Sequence, residues 1–379
     1  MLVGLDARAL ASPIRSGVEH YVINLARALS QLPEAPDIIA YLDRRIAEAE
    51  LAASFSRGHV RPKVVRAKRG WLRAALPWRL WRDRADLVHL PSTIVPPILP
   101  CPAVVTVHDL AWARYPDTYD PADLRMQMEV VPGSIRRAAH VIAVSRATAR
   151  DVMDVLLVPG DRVTAIPLGV SSAFEPRGPK LTGNEFPGAD RARDGCLLHT
   201  GGLHPRKNLR RLLDAYAMLS RAGSVGAVSV PPLVIAGNMD NPWGRELMEQ
   251  VASLNLASEV IFPGHITERV MPALYRSAIT LVYPSLYEGF GLPILEAMAS
   301  GTPVITSDGS SMLEVAGEAA VLVNPENTEE LAGALRRVLT DGALRLSLIE
   351  RGLQRSRQFT WERTARETVA VYQRFARPL

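Results

Sequence analysis

One alternation, a short apolar run followed by an amphipathic helical stretch, recurs along the whole chain and is interrupted once by a Pro/Gly-rich segment. In the first half the strand-like runs fall at residues 2–6, 37–42, 60–65, 87–90, 103–107, 140–144 and 163–167. After the first of them, Val18, Tyr21, Val22, Leu25, Ala26 and Leu29 share one helical face, and Ser16 is placed to cap that helix. A second series begins at residues 195–200 and continues at 233–237, 260–264 and 279–283. Such alternation predicts parallel sheets flanked by helices, an α/β doubly wound architecture. At 379 residues the chain is too long for one typical core and suits two domains. Residues 174–188, rich in Pro and Gly and without periodicity, read as the linker between them. No repeat of 20–50 residues is visible, so the halves are expected to share architecture rather than sequence.

In open parallel sheets, ligands sit beyond the carboxyl ends of the strands. His108 and Asp109 follow the run 103–107, and Ser145 follows 140–144, where it would also serve as an N-cap for the next helix. Gly17 would allow a close approach at the start of the first helix, or simply belong to a strand–loop–helix unit.

Two turns in the second half carry more chemistry. The first reads Thr200-Gly-Gly-Leu-His-Pro-Arg-Lys-Asn-Leu209. Small residues after a strand, then Arg206 and Lys207 at a helix start, make a place for a diphosphate. The second begins at Tyr283 and places Glu288 and Glu296 on either side of Gly-Phe-Gly-Leu-Pro, with Pro293 suited to a first helical turn. Gly289 and Gly291 would let backbone approach a ligand, and the new helix offers free N–H groups. An anion cradle with a carboxylate on each side suits a nucleotide sugar, whose diphosphate needs donors and whose hydroxyls need acceptors.

The Glu-x7-Glu stretch, together with Gly-Gly-x-x-Pro-Arg-Lys-Asn upstream, resembles the signature of retaining glycosyltransferases of family 4. The resemblance implies the GT-B fold, two Rossmann-like domains facing across a cleft. It divides the chain into an acceptor-binding domain (1–177), a nucleotide-sugar-binding domain (178–360) and a last helix (361–379) that returns to the first domain. It implies that Lys207 and Arg206 hold the diphosphate, with Gly202 and the backbone of Gly289, Phe290, Gly291 and Leu292 around it. Glu288 would hold the transferred sugar and Glu296 the ribose hydroxyls. Groups near Gly264 and Ile266 would read the base, His108 would contact the sugar, and Gly17 would lie beside the donor phosphates or the acceptor. His108, Lys207 and Glu288 form the expected catalytic set, with electrostatic stabilisation of the leaving diphosphate and no metal or other cofactor. The turn variant and the His-Asp pair look like bacterial mannosyl- and rhamnosyl-type enzymes of surface polysaccharide assembly. That makes GDP-mannose the expected donor and a glycan or lipid-linked molecule the expected acceptor. A nucleotide-sugar epimerase of similar fold and a non-catalytic sugar-nucleotide binding protein are the rival readings. Turnover of the donor without an acceptor would mark the first, and absence of donor hydrolysis the second.

Composition bounds the remaining choices. Two distant cysteines, Cys101 and Cys196, argue against a disulfide framework, a zinc cluster or a thiol active site. Residues 2–6 read directly as a buried strand rather than a signal peptide, and no apolar run is long enough to span a bilayer. A cytoplasmic protein is expected, peripheral to the inner face of the membrane if its basic segment docks there. That segment, residues 61–84, holds nine Lys/Arg against Asp83, interleaved with Trp71, Trp78 and Trp81. It reads either as a core-packed helix with a solvated basic face or as a docking surface for anionic lipid. Pro77 argues against one unbroken helix there. No nucleic-acid motif accompanies the patch, and neither a Gly-x-Gly-x-x-Gly after a strand nor a Walker loop is present.

Overall fold

The apolar runs pair as two separate parallel sheets in the computed structural model, which describes residues 1–11, 17–44, 58–67, 70–221, 224–225 and 228–376. The first sheet contains β1 (Leu2–Asp6), β2 (Asp37–Leu42), β3 (Val60–Val64), β4 (Leu87–Leu90), β5 (Ala103–Val107), β6 (His140–Ala143) and β7 (Val163–Ala165). Its order is β3-β2-β1-β4-β5-β6-β7. Strands therefore step outward from β1 on one side and from β4 on the other. Every residue of β4, β5 and β6 is buried, which explains why these runs are mostly apolar, with one buried polar residue each in His89, Thr106 and His140. The principal helices here are α1 (Gly17–Gln31), α2 (Leu76–Asp83), α3 (Pro121–Arg137) and α4 (Arg146–Leu156).

The second sheet contains β8 (Cys196–Thr200), β11 (Leu233–Ala236), β12 (Val260–Gly264), β13 (Ala278–Tyr283), β14 (Val304–Ser307) and β15 (Val321–Val323), in the order β12-β11-β8-β13-β14-β15. A short antiparallel hairpin, β9 (Ser224–Val225) and β10 (Val228–Ser229), stands apart from it. Its helices are α5 (Leu209–Ser220), α6 (Pro242–Ser253), α7 (Met271–Ser277), α8 (Leu292–Ala299), α9 (Ser310–Ala316), α10 (Thr328–Thr340) and α11 (Gly342–Ser356). Among the described residues, no helix is long and apolar enough to cross a membrane.

Two compact units result, Met1–Gly169 with Phe359–Leu379, and Val170–Gln358. The last helix, α12 (Trp361–Phe375), is thus part of the first unit. Thr360 caps it by accepting from Arg363 N at 3.2 Å. Thr364 Oγ1 donates to Pro167 O at 2.8 Å, and the Tyr372 hydroxyl lies 2.6 Å from His89 Nδ1. His89 Nε2 in turn is 2.8 Å from Thr106 Oγ1, which lies 3.0 Å from the Tyr21 hydroxyl. One buried polar chain thereby ties α12, two central strands and α1. Burial holds His89 neutral, its pKa lowered to about 3.

One local expectation is revised and two others are met. Residues 174–188 are not a free linker: Leu181 N donates to Ser277 Oγ at 2.9 Å and Arg276 Nε to Pro179 O at 2.9 Å, so this stretch packs on α7. The basic segment is not one unbroken helix, as expected, although the break lies at β3 and the residues after it rather than at Pro77. A wide helical turn over Trp71–Ala75 runs directly into α2, with Pro77 in the first turn of the α-helical part, where a missing N–H costs little. Ser145 takes the capping role, accepting from Thr148 N at 2.9 Å. Ser16, read as the cap of α1, and Lys68 and Arg69 lie outside the described residues.

Tyr372→Phe leaves His89 Nδ1 buried without its partner. It is expected to cost about 1–3 kcal/mol, visible by calorimetry as a lower midpoint for the first unit. An unchanged midpoint would show that the α12 contact does not hold this unit together.

Candidate functional site

In the second sheet β8 and β13 lie side by side, yet the chain leaves β8 toward β11 and β13 toward β14. Loops that depart in opposite directions from neighbouring strands open a crevice at the strands' carboxyl ends. The loop after β8 carries Arg206 and Lys207, and the loop after β13 carries Glu288. The topology alone brings the two sequence turns together.

Their side chains meet on one carboxylate. Lys207 Nζ donates to Glu288 Oε1 at 2.6 Å, and Arg206 donates through one terminal nitrogen to Glu288 Oε2 at 2.8 Å. Lys207 Nζ also donates to the Tyr283 hydroxyl at 2.7 Å. Lys207 and Glu288 are 7% and 6% exposed, so this is an ion pair largely removed from water. Burial alone would raise the Glu288 pKa, but the charges of Lys207 and Arg206 outweigh it and hold it at about 2. His199 stacks on Tyr283 at 5.5 Å from behind, and burial keeps it neutral, its pKa lowered to about 4.

Backbone bonds fasten the two loops independently of the ion pairs. Leu286 N donates to Arg206 O at 2.8 Å, and Asn208 Nδ2 donates to Pro284 O at 3.0 Å and Pro325 O at 2.6 Å. Asn208 has φ +60°, a conformation asparagine tolerates better than most residues. Glu288 is gripped from α9 as well, since Ser310 Oγ and Ser311 Oγ each donate to its carbonyl at 2.7 Å.

Glu296 has separate partners. It lies on α8, half-buried, and accepts from the Tyr275 hydroxyl at 2.9 Å; that hydroxyl is also 2.9 Å from Thr200 Oγ1. Burial raises the Glu296 carboxyl to about 7, against the lowering effect of the Tyr275 bond. Between the two carboxylates, Gly289, Phe290 and Gly291 are buried and Leu292 is half-buried. Gly291 has φ +106°, and a side chain there would also press on Ile294 at 3.1 Å, so glycine is needed for α8 to start where it does. A Cβ at Gly202 would meet nothing within 4 Å, so the fold itself does not demand glycine there. Gly264 closes β12 with φ +75° and accepts from Gly237 N at 3.0 Å. A cavity of about 420 Å³ abuts the same turn, lined by Leu203, His204, Asn208 and Trp243 among others, but neither Lys207 nor Glu288 faces it.

The structure thus gathers Arg206, Lys207 and Glu288 and gives Glu296 its own setting. Tyr275, Ser310 and Ser311 carry no sequence signal, and Asn208, though part of the Pro-Arg-Lys-Asn turn, is given no role there, because its partner Pro325 lies 117 residues away. In the first unit, Gly17 opens α1. His108 follows β5, with its ring 5.0 Å from that of Tyr21. Burial lowers the His108 pKa, and its Nε2 has no hydrogen-bond partner among the described residues.

Comparisons to known proteins identify the family and the fold class. The family model described as Glycosyltransferase Family 4 matches residues 15–174, and that described as Glycosyl transferases group 1 matches residues 186–355. O-antigen chain mannosyltransferase B of Escherichia coli is 32% identical over 298 residues, covering 78% of this chain and 76% of that protein. The serotype-specific mannosyltransferase WbdA of Escherichia coli is 31% identical over 284 residues, 70% of this chain but 33% of that longer protein. Among solved structures, sucrose-phosphate synthase from Thermosynechococcus elongatus superposes with a TM-score of 0.74 at 21% identity, over 99% of this chain and 98% of that one. HepE of Anabaena in complex with UDP and glucose gives 0.75 at 19%, over 98% and 99%. With two doubly wound parallel sheets of the GT-B class, the chain is a glycosyltransferase and belongs to family 4.

Proposed function

We propose that the chain transfers a hexosyl group, with retention at the anomeric carbon, from a nucleoside diphosphate sugar to a glycan or lipid-linked acceptor in surface polysaccharide assembly. The observation that carries this reading is the pair of cations, Lys207 and Arg206, gathered on one buried carboxylate at the carboxyl ends of β8 and β13. Two cations and one carboxylate leave an excess positive charge, which a diphosphate would answer. GDP-mannose is the proposed donor, supported by relatives named as mannosyltransferases. HepE, with UDP-glucose in its solved structure, is similar in fold alone, so the base is proposed from the sequence relatives.

In this reading Lys207 and Arg206, with backbone amides of the Gly289–Leu292 turn, stabilise charge developing on the leaving diphosphate. No metal is required. The leaving phosphate would assist deprotonation of the acceptor on the same face of the sugar. Glu288, released from the cations as phosphate oxygens take its place, accepts from a sugar hydroxyl. Ionised Glu296 accepts from the ribose hydroxyls, and backbone groups at Gly264 and Ile266 face the base. For His108 and Gly17 the roles proposed are those the resemblance supplies, a contact with the transferred sugar and room for phosphate or acceptor.

A membrane-facing role is proposed for the basic segment. Trp71 is buried and donates to Val65 O at 3.1 Å, whereas Trp78 and Trp81 are 52% and 67% exposed. Asp83 is occupied by Lys63 and Arg79. Exposed indoles beside the remaining basic residues are the combination that anionic lipid surfaces recruit.

Lys207→Ala and Glu288→Ala are each expected to abolish transfer from GDP-mannose while keeping a cooperative thermal transition; near-native turnover in either would refute this site. A thermal-shift screen with GDP-, UDP-, ADP- and dTDP-sugars should give the largest stabilisation with GDP-mannose. With Glu296 titrating at about 7, donor affinity should rise from about pH 6 to pH 8, as the carboxylate forms, and Glu296→Gln should flatten that rise. A flat wild-type profile by calorimetric titration would remove the ribose role. Vesicle flotation should show more binding to anionic than to neutral lipid, weakened by Lys68, Arg69 and Arg73 neutralisation; equal binding to both would sink the membrane proposal.

A further inference from the structure

Ser310 is a non-glycine residue of the described chain with positive φ, at +56°. Serine lacks asparagine's tolerance of this region, where Cβ crowds the backbone. The preceding residue is a glycine, Gly309, yet it takes an ordinary φ of −116°. The chain therefore spends its glycine where any residue would fit and puts a serine where glycine would be relaxed. What the serine gains is its hydroxyl. Ser310 Oγ donates to Glu288 O at 2.7 Å and lies 3.4 Å from Glu288 N. Ser311, fully buried, adds a second donor to the same carbonyl at 2.7 Å.

We propose that Ser310 is a positioning residue for Glu288, kept in a disfavoured backbone conformation so that its hydroxyl fixes the peptide from which that carboxylate projects. This rests on the reading of Glu288 as a donor-sugar contact. The carboxylate is directed at one end by Lys207 and Arg206, and its backbone is clamped at the other by Ser310 and Ser311. When phosphate oxygens take over the cations, the carboxylate end is released and the backbone clamp alone aims it at the sugar. Strain retained at such a place is the pattern found where a backbone is over-determined by its surroundings for function. Small misplacements of a positioned group cost rate steeply.

The test uses three substitutions of Ser310 that separate strain from hydroxyl. Ser310→Ala and Ser310→Gly both remove the hydroxyl, but only glycine relaxes φ; Ser310→Thr keeps the hydroxyl and makes the conformation worse. The full-length chain is assayed for nucleoside diphosphate release from GDP-mannose, UDP-glucose, an ADP-sugar and a dTDP-sugar, with melting temperature and affinity for GDP and UDP alongside. Glycine should melt about 2–4 °C above alanine, yet both should lose at least about tenfold in kcat. Nucleoside diphosphate affinity should not change. Threonine should melt lowest and keep a kcat near wild type. Rates that follow the melting order, or Gly and Ala variants within about twofold of wild type, would overturn the proposal. Should threonine fail to fold, the Gly/Ala pair still decides. Glu288→Ala is run in parallel: loss there with a normal Ser310→Gly rate sinks the positioning role alone. Normal turnover by Glu288→Ala, or no turnover of any donor by wild type, sinks the donor reading and this inference with it.

Discussion

A carboxylate and a lysine withdrawn from water, with a half-buried arginine beside them, impose the main constraint on the second unit. Desolvation of such groups is offset only when geometry is good and the remaining bonds are made, and a well-packed apolar cluster would often serve stability as well or better. The surrounding structure is arranged to meet that demand. Tyr283 accepts from Lys207, the Arg206 carbonyl receives Leu286 N, and Asn208 fastens its loop to two proline carbonyls. Under the proposed function, a cluster that costs desolvation and still attracts this much supporting structure is kept for what it binds.

The two glutamates that bracket the glycine turn are chemically unlike. Glu288 is held ionised by its cations, with a pKa of about 2, and Glu296, whose hydrogen bond comes from a tyrosine hydroxyl, titrates at about 7. Identical side chains eight positions apart are thereby given different protonation behaviour. Two residues with positive φ stand behind the ion pair. Asn208 follows Lys207 directly, and Ser310 grips the backbone of Glu288. Each gives up local comfort for a side-chain bond to the opposite loop or to the carboxylate's own peptide.

Much of this was legible in the chain because it is local. The mostly apolar runs mark the strands since strands buried on both faces hold few polar residues, and the Gly-Gly and Glu-x7-Glu turns lie directly after two of them. What was not legible depends on distant partners. Tyr275 sits inside a seven-residue helix like any core aromatic, and only the fold brings its hydroxyl to Glu296 and Thr200. His89 reads as one polar residue in an apolar strand until Tyr372, 283 residues later, reaches it. Residues 174–188 read as a linker from composition, whereas Ser277 and Arg276 give their backbone groups partners on α7. A positive φ at Ser310 leaves no trace in sequence at all, particularly with a glycine beside it.

In the proposed mechanism Lys207 and Arg206 exchange the Glu288 carboxylate for a diphosphate, freeing Glu288 for the sugar. A crystal structure with an intact nucleoside diphosphate sugar tests this most directly. Phosphate oxygens are expected within hydrogen-bond distance of Lys207 Nζ and the Arg206 guanidinium, with Glu288 turned onto a sugar hydroxyl and its backbone still held by Ser310 and Ser311. A diphosphate bound elsewhere, with the Lys207–Glu288 pair intact, would contradict this mechanism.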